Sequence, residues 1–303
     1  MFDLRYHLAS LAAVFVSLAV GIILGVALSG NIRGAEDSLS AGRIAQLEEQ
    51  LDAERRRGSN EEDMLQDSED LIDEAYPALM ENRLVDRQYV IVFLGPVDGE
   101  LRSAIEETLS DANGTPVRLF AFELPLDPVS LTDFLASRDG LAEYAGDPLS
   151  LGRAIGEELV EEGETPVLSQ VSSELVEERS GATIPPVDGA VAVRSWVPGL
   201  EDVSSASERA SEAFVEGVLQ GLQAASLPVV GAEISDVEPQ SSAVPVFNDA
   251  GLSSVDNLDS AAGRLALALL LGGGEPGHYG VKDTATEGIV PQIDAVPVQT
   301  IGG

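Results

Sequence analysis

The 303-residue chain has no cysteine, three methionines, two histidines and a low aromatic content of 5%. The missing cysteine excludes disulfides, thiolate zinc sites, thiol catalysis and Cys-x-x-Cys copper handling. Met1, Met64 and Met80 are too scattered to form a methionine-rich site for soft copper(I). Histidine is confined to His7 and His278. A Ser-His-Asp hydrolase would have to use His278, and no Gly-x-Ser-x-Gly elbow is present to supply its nucleophile. Basic residues are also scarce: 17 Lys and Arg stand against 52 Asp and Glu, for a net charge of −35, and Lys282 is the only lysine. Such a surface repels phosphate backbones, which argues against nucleic acid as a partner. There is no Walker-type lysine loop. No catalytic or cofactor-binding residues stand out, and we expect a protein that is not an enzyme and carries no resident cofactor.

What is present begins with an uncharged run, Leu8 to Leu28, flanked by Arg5 and Arg33. At 1.5 Å per residue a helix of this length spans about 31 Å, which matches a bilayer core of about 30 Å. Ala27-Leu28-Ser29 also satisfies a signal-peptide cleavage pattern. The apolar run is longer than the usual h-region, so we read an uncleaved anchor. Small residues recur every fourth position through Ala13, Ser17, Gly21 and Gly25, a register that lets two membrane helices approach closely. Small residues are also simply common in membrane helices. The short N-terminal tail fits a single-pass signal anchor, with the N-terminus cytoplasmic and the bulk of the chain extracytoplasmic. The lipid bilayer is then the first partner.

Residues 35–87 are charge-rich and read as a helical coiled-coil stalk. Ile44, Leu51, Gly58, Leu65, Ile72 and Leu79 occupy heptad position a, while the d column of Leu47, Glu54, Glu61, Ser68, Ala75 and Asn82 is mostly polar. This pattern supports an interrupted coiled coil. It leaves two readings open: self-association, or a solvated helix packed on its own domain. Together with the anchor, the stalk points to a homo-oligomer or an envelope protein partner.

From Gln88 the pattern changes to strands alternating with helices, which predicts a mostly parallel, Rossmann- or flavodoxin-like α/β domain. Strands are expected at Tyr89–Leu94, Val117–Phe122, Pro166–Val171, Gly189–Arg194, Pro228–Ile234 and Ala243–Phe247. Helices are expected at Asp98–Asp111, Ser130–Ala136, Pro148–Glu162, Ser204–Ala225 and Val255–Leu271. The domain organisation is therefore an anchor over 1–34, a stalk over 35–87, an α/β domain over 88–283 and a loose tail over 284–303. Gly272-Gly273-Gly274-Glu275-Pro276-Gly277 matches Gly-x-Gly-x-x-Gly in letters only. It follows a helix instead of a strand and contains proline, so it reads as a helix stop. Gly95-Pro96-Val97-Asp98-Gly99 does join a strand to a helix, where open sheets bind ligands. Turn chemistry explains the same residues.

The stretch Phe2-Asp3-Leu4-Arg5-Tyr6-His7-Leu8-Ala9-Ser10-Leu11-Ala12-Ala13-Val14-Phe15 and its continuation Ser17-Leu18-Ala19-Val20-Gly21-Ile22-Ile23-Leu24-Gly25 resemble the start of the MctB-type copper transport protein family of actinobacteria. Near the other end, Gly277-His278-Tyr279-Gly280-Val281-Lys282 resembles the same family, as does the layout of anchor, stalk and α/β domain. The resemblance implies copper efflux or copper ion homeostasis at the cell envelope, with copper as the transported ion. His278 is the one candidate for a metal contact, and no ligand cluster accompanies it.

Overall fold

The computed structural model describes residues 15–24, 26, 70–161, 163–181, 187–196, 199 and 203–293. Two compact units separate at residues 68 and 69. In the first, residues 15–24 and 26 are helical, and every side chain along them is exposed, including Phe15, Ile22, Ile23 and Val26. Among the described residues no helix is long and apolar enough to cross a membrane. Of the expected span Leu8–Leu28, positions 8–14, 25, 27 and 28 lie outside the described residues, as do the heptad positions from Ile44 to Ser68.

The second unit is a seven-stranded sheet covered on both faces. The strands are β1 (Gln88–Leu94), β2 (Thr115–Phe122), β3 (Val176–Ser180), β4 (Gly189–Arg194), β5 (Val229–Ala232), β6 (Ser253–Val255) and β7 (His278–Tyr279). Their order is β3-β2-β1-β4-β5-β6-β7, and every pairing is parallel except β2 with β3. The expected mostly parallel sheet is what the chain builds. Ile91 of β1 pairs with Leu119 on one side and Val191 on the other. Strand β1 is buried along nearly its whole length, which is why it reads as continuous apolar sequence with no alternation.

The helices are α1 (Gly99–Asp111), α2 (Pro128–Ala136), α3 (Pro148–Val160), α4 (Pro166–Leu175), α5 (Ser205–Ala224), α6 (Val244–Asp249) and α7 (Ala261–Leu271). Tyr89, Ile91 and Phe93 point to the layer built by α1, α7 and residues 76–84. Val90, Val92 and Leu94 point to the layer built by α2 to α6. In that second layer Phe122 and Phe214 meet edge to face, with ring centroids 5.4 Å apart. Residues 70–84, within the segment read as stalk, pack on the first layer: Met80 and Leu84 are fully buried. There the Tyr76 hydroxyl donates to Asp111 Oδ2 at 3.0 Å. Burial, reinforced by that carboxylate, pushes the Tyr76 hydroxyl above its ordinary pKa.

Three expectations need correction. Pro166–Val171 is not a strand but the start of α4: Pro166 opens the helix, and Glu158 accepts from Val167 N (2.9 Å) and Leu168 N (2.7 Å). The buried residues Leu168, Val171 and Leu175 fall at helical spacing. Ala243–Phe247 likewise is not a strand but opens α6, with Pro245 in its first turn and Val244 and Phe247 buried three apart. The helix expected from Val255 starts only at Ala261, because Ser253–Val255 is spent on β6. The described part of the tail makes contacts with β7: Tyr279 bridges to Gly288, and Thr286 N donates to His278 O at 3.0 Å.

Candidate functional site

In an open parallel sheet, ligands bind outside the carboxyl ends of the strands, where the strand order reverses. That reversal lies between β1 and β4. The Gly95–Gly99 loop sits there, and the chain itself fills the position. Ser195 N and Trp196 N both donate to Leu94 O, at 3.2 and 3.0 Å, and Ser195 Oγ donates to Pro96 O at 2.5 Å. Trp196 is buried, and a Cβ on Gly95 would lie 2.5 Å from its backbone nitrogen. Asp98 Oδ1 accepts from Glu100 N (2.9 Å) and Leu101 N (3.0 Å), so the amides that would hold a phosphate are already capped. The loop is turn and cap. Replacing Asp98 with alanine is expected to cost about 1 kcal/mol in chemical unfolding. A loss within error of zero would remove the cap from this account.

The polar chemistry gathers one to four strands from β1 along the same edge. Arg194, Glu233, Asp256 and Lys282 stand at or just beyond the carboxyl ends of β4, β5, β6 and β7. Glu233 and Asp256 are almost fully buried. The Lys282 ammonium forms a close ion pair with Glu233 Oε1 and also donates to Ile234 O at 2.8 Å. Glu233 accepts further from Ser242 Oγ (3.0 Å) and Ala243 N (2.6 Å), which fixes the entry to α6. Asp256 accepts from Val281 N (2.8 Å) and Lys282 N (3.2 Å). Gly280 has φ +150°, and a Cβ there would collide with the Asp256 carboxylate. The Gly277–Lys282 motif is thus a latch: a strand, a turn only glycine fits, and a lysine driven into a buried carboxylate.

His278 lies on β7, half-buried, with Nδ1 2.9 Å from Ser254 Oγ. Its backbone N–H donates to Glu287 Oε2 at 2.6 Å. The Thr286 hydroxyl, and then that N–H, hold the Glu287 carboxyl below its ordinary pKa. Among the described residues no group of three or more His, Asp or Glu converges where a metal ion could be held. Ser17 and Gly21 fall on the helix of residues 15–24, and a Cβ at Gly21 would meet nothing within 4 Å. Ala13, Gly25 and His7 lie outside the described residues. Gly272 ends α7 as the sequence predicts, and Gly273 follows at φ +91°.

Arg194, Glu233 and Asp256 were not singled out from sequence. The available signal was a charged residue ending a short apolar run, as in Val191-Ala192-Val193-Arg194 and Val229-Val230-Gly231-Ala232-Glu233. Arg194 lines a cleft of about 370 Å³ between α5 and α6, with its guanidinium carbon 5.8 Å from the centre of the Trp196 ring. Burial draws its pKa down, and the carboxylates of Glu212 and Glu233 oppose that.

Compared with known proteins, residues 1–290 match the model of the family described as copper transport outer membrane protein, MctB. No curated protein matches the chain.

Proposed function

We propose that this chain, which belongs to the MctB family, is a membrane-anchored, non-enzymatic envelope protein that supports copper efflux and copper ion homeostasis. The observation that carries this reading is the extent of the family match, residues 1–290, which takes in both end motifs and everything between them. The anchor is residues 8–28, uncleaved, with the N-terminus cytoplasmic and the α/β domain outside. Support comes from residues 15–24, an apolar helix whose side chains are exposed all round, as a lipid-facing helix requires. Copper is cargo in this reading, handled by an oligomer of the chain or with an envelope partner. The alternative is a structural or interaction protein acting through stalk and anchor. Ser17 and Gly21, one turn apart on an exposed apolar helix, favour that alternative.

The test is a strain lacking the gene. Copper tolerance is expected to fall and cell-associated copper to rise. The full chain should restore both, and a chain without residues 1–34 should not. Unchanged tolerance and copper content would overturn the copper role and leave the interaction reading. Full rescue by the shortened chain would overturn the anchor.

A further inference from the structure

We infer that the cleft between α5 and α6 is a binding site for a small zwitterion, a molecule carrying both a carboxylate and an ammonium group, such as an amino acid or short peptide. The cleft is lined by Arg194, by Glu212, Glu216 and Gln220 along α5, and by Val246 and Asp249 on α6. It starts at Arg194, the last residue of β4, and runs along the helical face of the sheet between α5 and α6, with a volume of about 370 Å³ that is within the range of small-molecule sites.

Arg194 identifies the anionic half of the ligand. It lines the cleft, and its guanidinium forms no ion pair among the described residues. A guanidinium supplies the planar fork that a carboxylate fits. The acids identify the other half. Glu212, Glu216 and Asp249 are all exposed on the cleft walls, so a polyanion such as a phosphate ester would be repelled, whereas an ammonium group would be attracted. From Glu212 to Gln220 the cleft follows α5 for about 12 Å, enough to separate the two charges of a short ligand.

The test is calorimetric titration of the purified full chain in detergent. The probes are free lysine and alanyl-alanine, with acetate and methylammonium as single-charge controls. Saturable binding of a zwitterion is expected, at least about tenfold tighter than either control. Arg194→Gln should weaken it about tenfold or more. Glu216→Gln with Asp249→Asn, at two exposed positions, should weaken zwitterion binding without weakening that of acetate. Absence of saturable binding by both zwitterions at millimolar concentration would overturn the site. So would binding that survives Arg194→Gln in a protein with native circular dichroism. Should Arg194→Gln fail to fold, the pair of acid variants decides: unchanged zwitterion affinity there would equally overturn the proposal. Neither result depends on copper, so this inference and the copper role fail separately.

Discussion

Lys282→Ala is expected to destabilise the domain by about 3–5 kcal/mol, the usual consequence of leaving one member of a buried ion pair without its partner. The side chain is 12% exposed and its partner Glu233 only 5% exposed, so water cannot readily take the place of the ammonium. The substitution isolates the side chain, because the Lys282 backbone N–H keeps its bond to Asp256. Trp196 is the only tryptophan and is buried, so urea unfolding followed by its fluorescence reads the transition without labelling. Glu233→Leu combined with Lys282→Met would remove the uncompensated charge. It would also strand the Ser242 hydroxyl and Ala243 N–H that now donate to Glu233, so this pair should fall between the parent and the single variant. A Lys282→Ala protein within about 1 kcal/mol of the parent would mean that the latch is not a buried pair in the sense argued here. As the only lysine, Lys282 also permits a direct readout. Amine-reactive reagents should modify it slowly in the folded protein and quickly once β7 is released.

The parts of the fold legible in the sequence are those whose signal is local. Strands β1, β2, β4 and β5 announce themselves as apolar runs, and α1 and α5 as periodic segments preceded by the capping residues Asp98 and Ser204. The errors fall where the run is short and both periods fit. Pro166–Val171 and Ala243–Phe247 contain enough valine to read as strands, but each carries a proline at the first turn of what is a helix. Strand β3, Val-Glu-Glu-Arg-Ser, carries the charges of an exposed sheet edge and gives no apolar signal. The site was less legible for a different reason. Glu233 and Lys282 are 49 residues apart, and Asp256 meets the turn before Lys282 from a third strand. With 52 acids in the chain, a carboxylate ending a short apolar run is too weak a signal to single out Glu233 and Asp256 as buried. The Gly277–Lys282 motif could be recognised as a pattern, but its physical meaning depends on strand ends that only the sheet brings together.

Gly156→Ala is expected to lower stability by about 1–3 kcal/mol, and Gly156→Ala with Gly221→Ala by more than either alone. Helices α3 and α5 cross at Gly152 and Gly156 on one side and Gly217 and Gly221 on the other. A Cβ on Gly156 would collide with the Val218 carbonyl, and one on Gly221 with the Arg153 carbonyl. Gly152 and Gly217 face the carbonyls of Phe214 and Leu149 in the same way. These obstacles are backbone atoms of rigid helices, which cannot rotate aside as a side chain would, so the helices must separate and lose packing along their shared length. Against this, alanine in a helix interior is favoured over glycine by about 1 kcal/mol. The contacts decide the sign, because moving apart two helices that carry Leu151, Ile155, Phe214 and Val218 opens the centre of the core. The two changes should not add, since a single shift of α3 relieves both collisions. Gly99→Ala is the matched control: it stands in the first turn of α1 with nothing within 4 Å of its would-be Cβ. There only the propensity term acts, and stability should rise by up to about 1 kcal/mol. Opposite signs for the two glycines in urea unfolding would establish the crossing as a close backbone contact. A stabilised Gly156→Ala protein would show that α3 and α5 are held further apart than described.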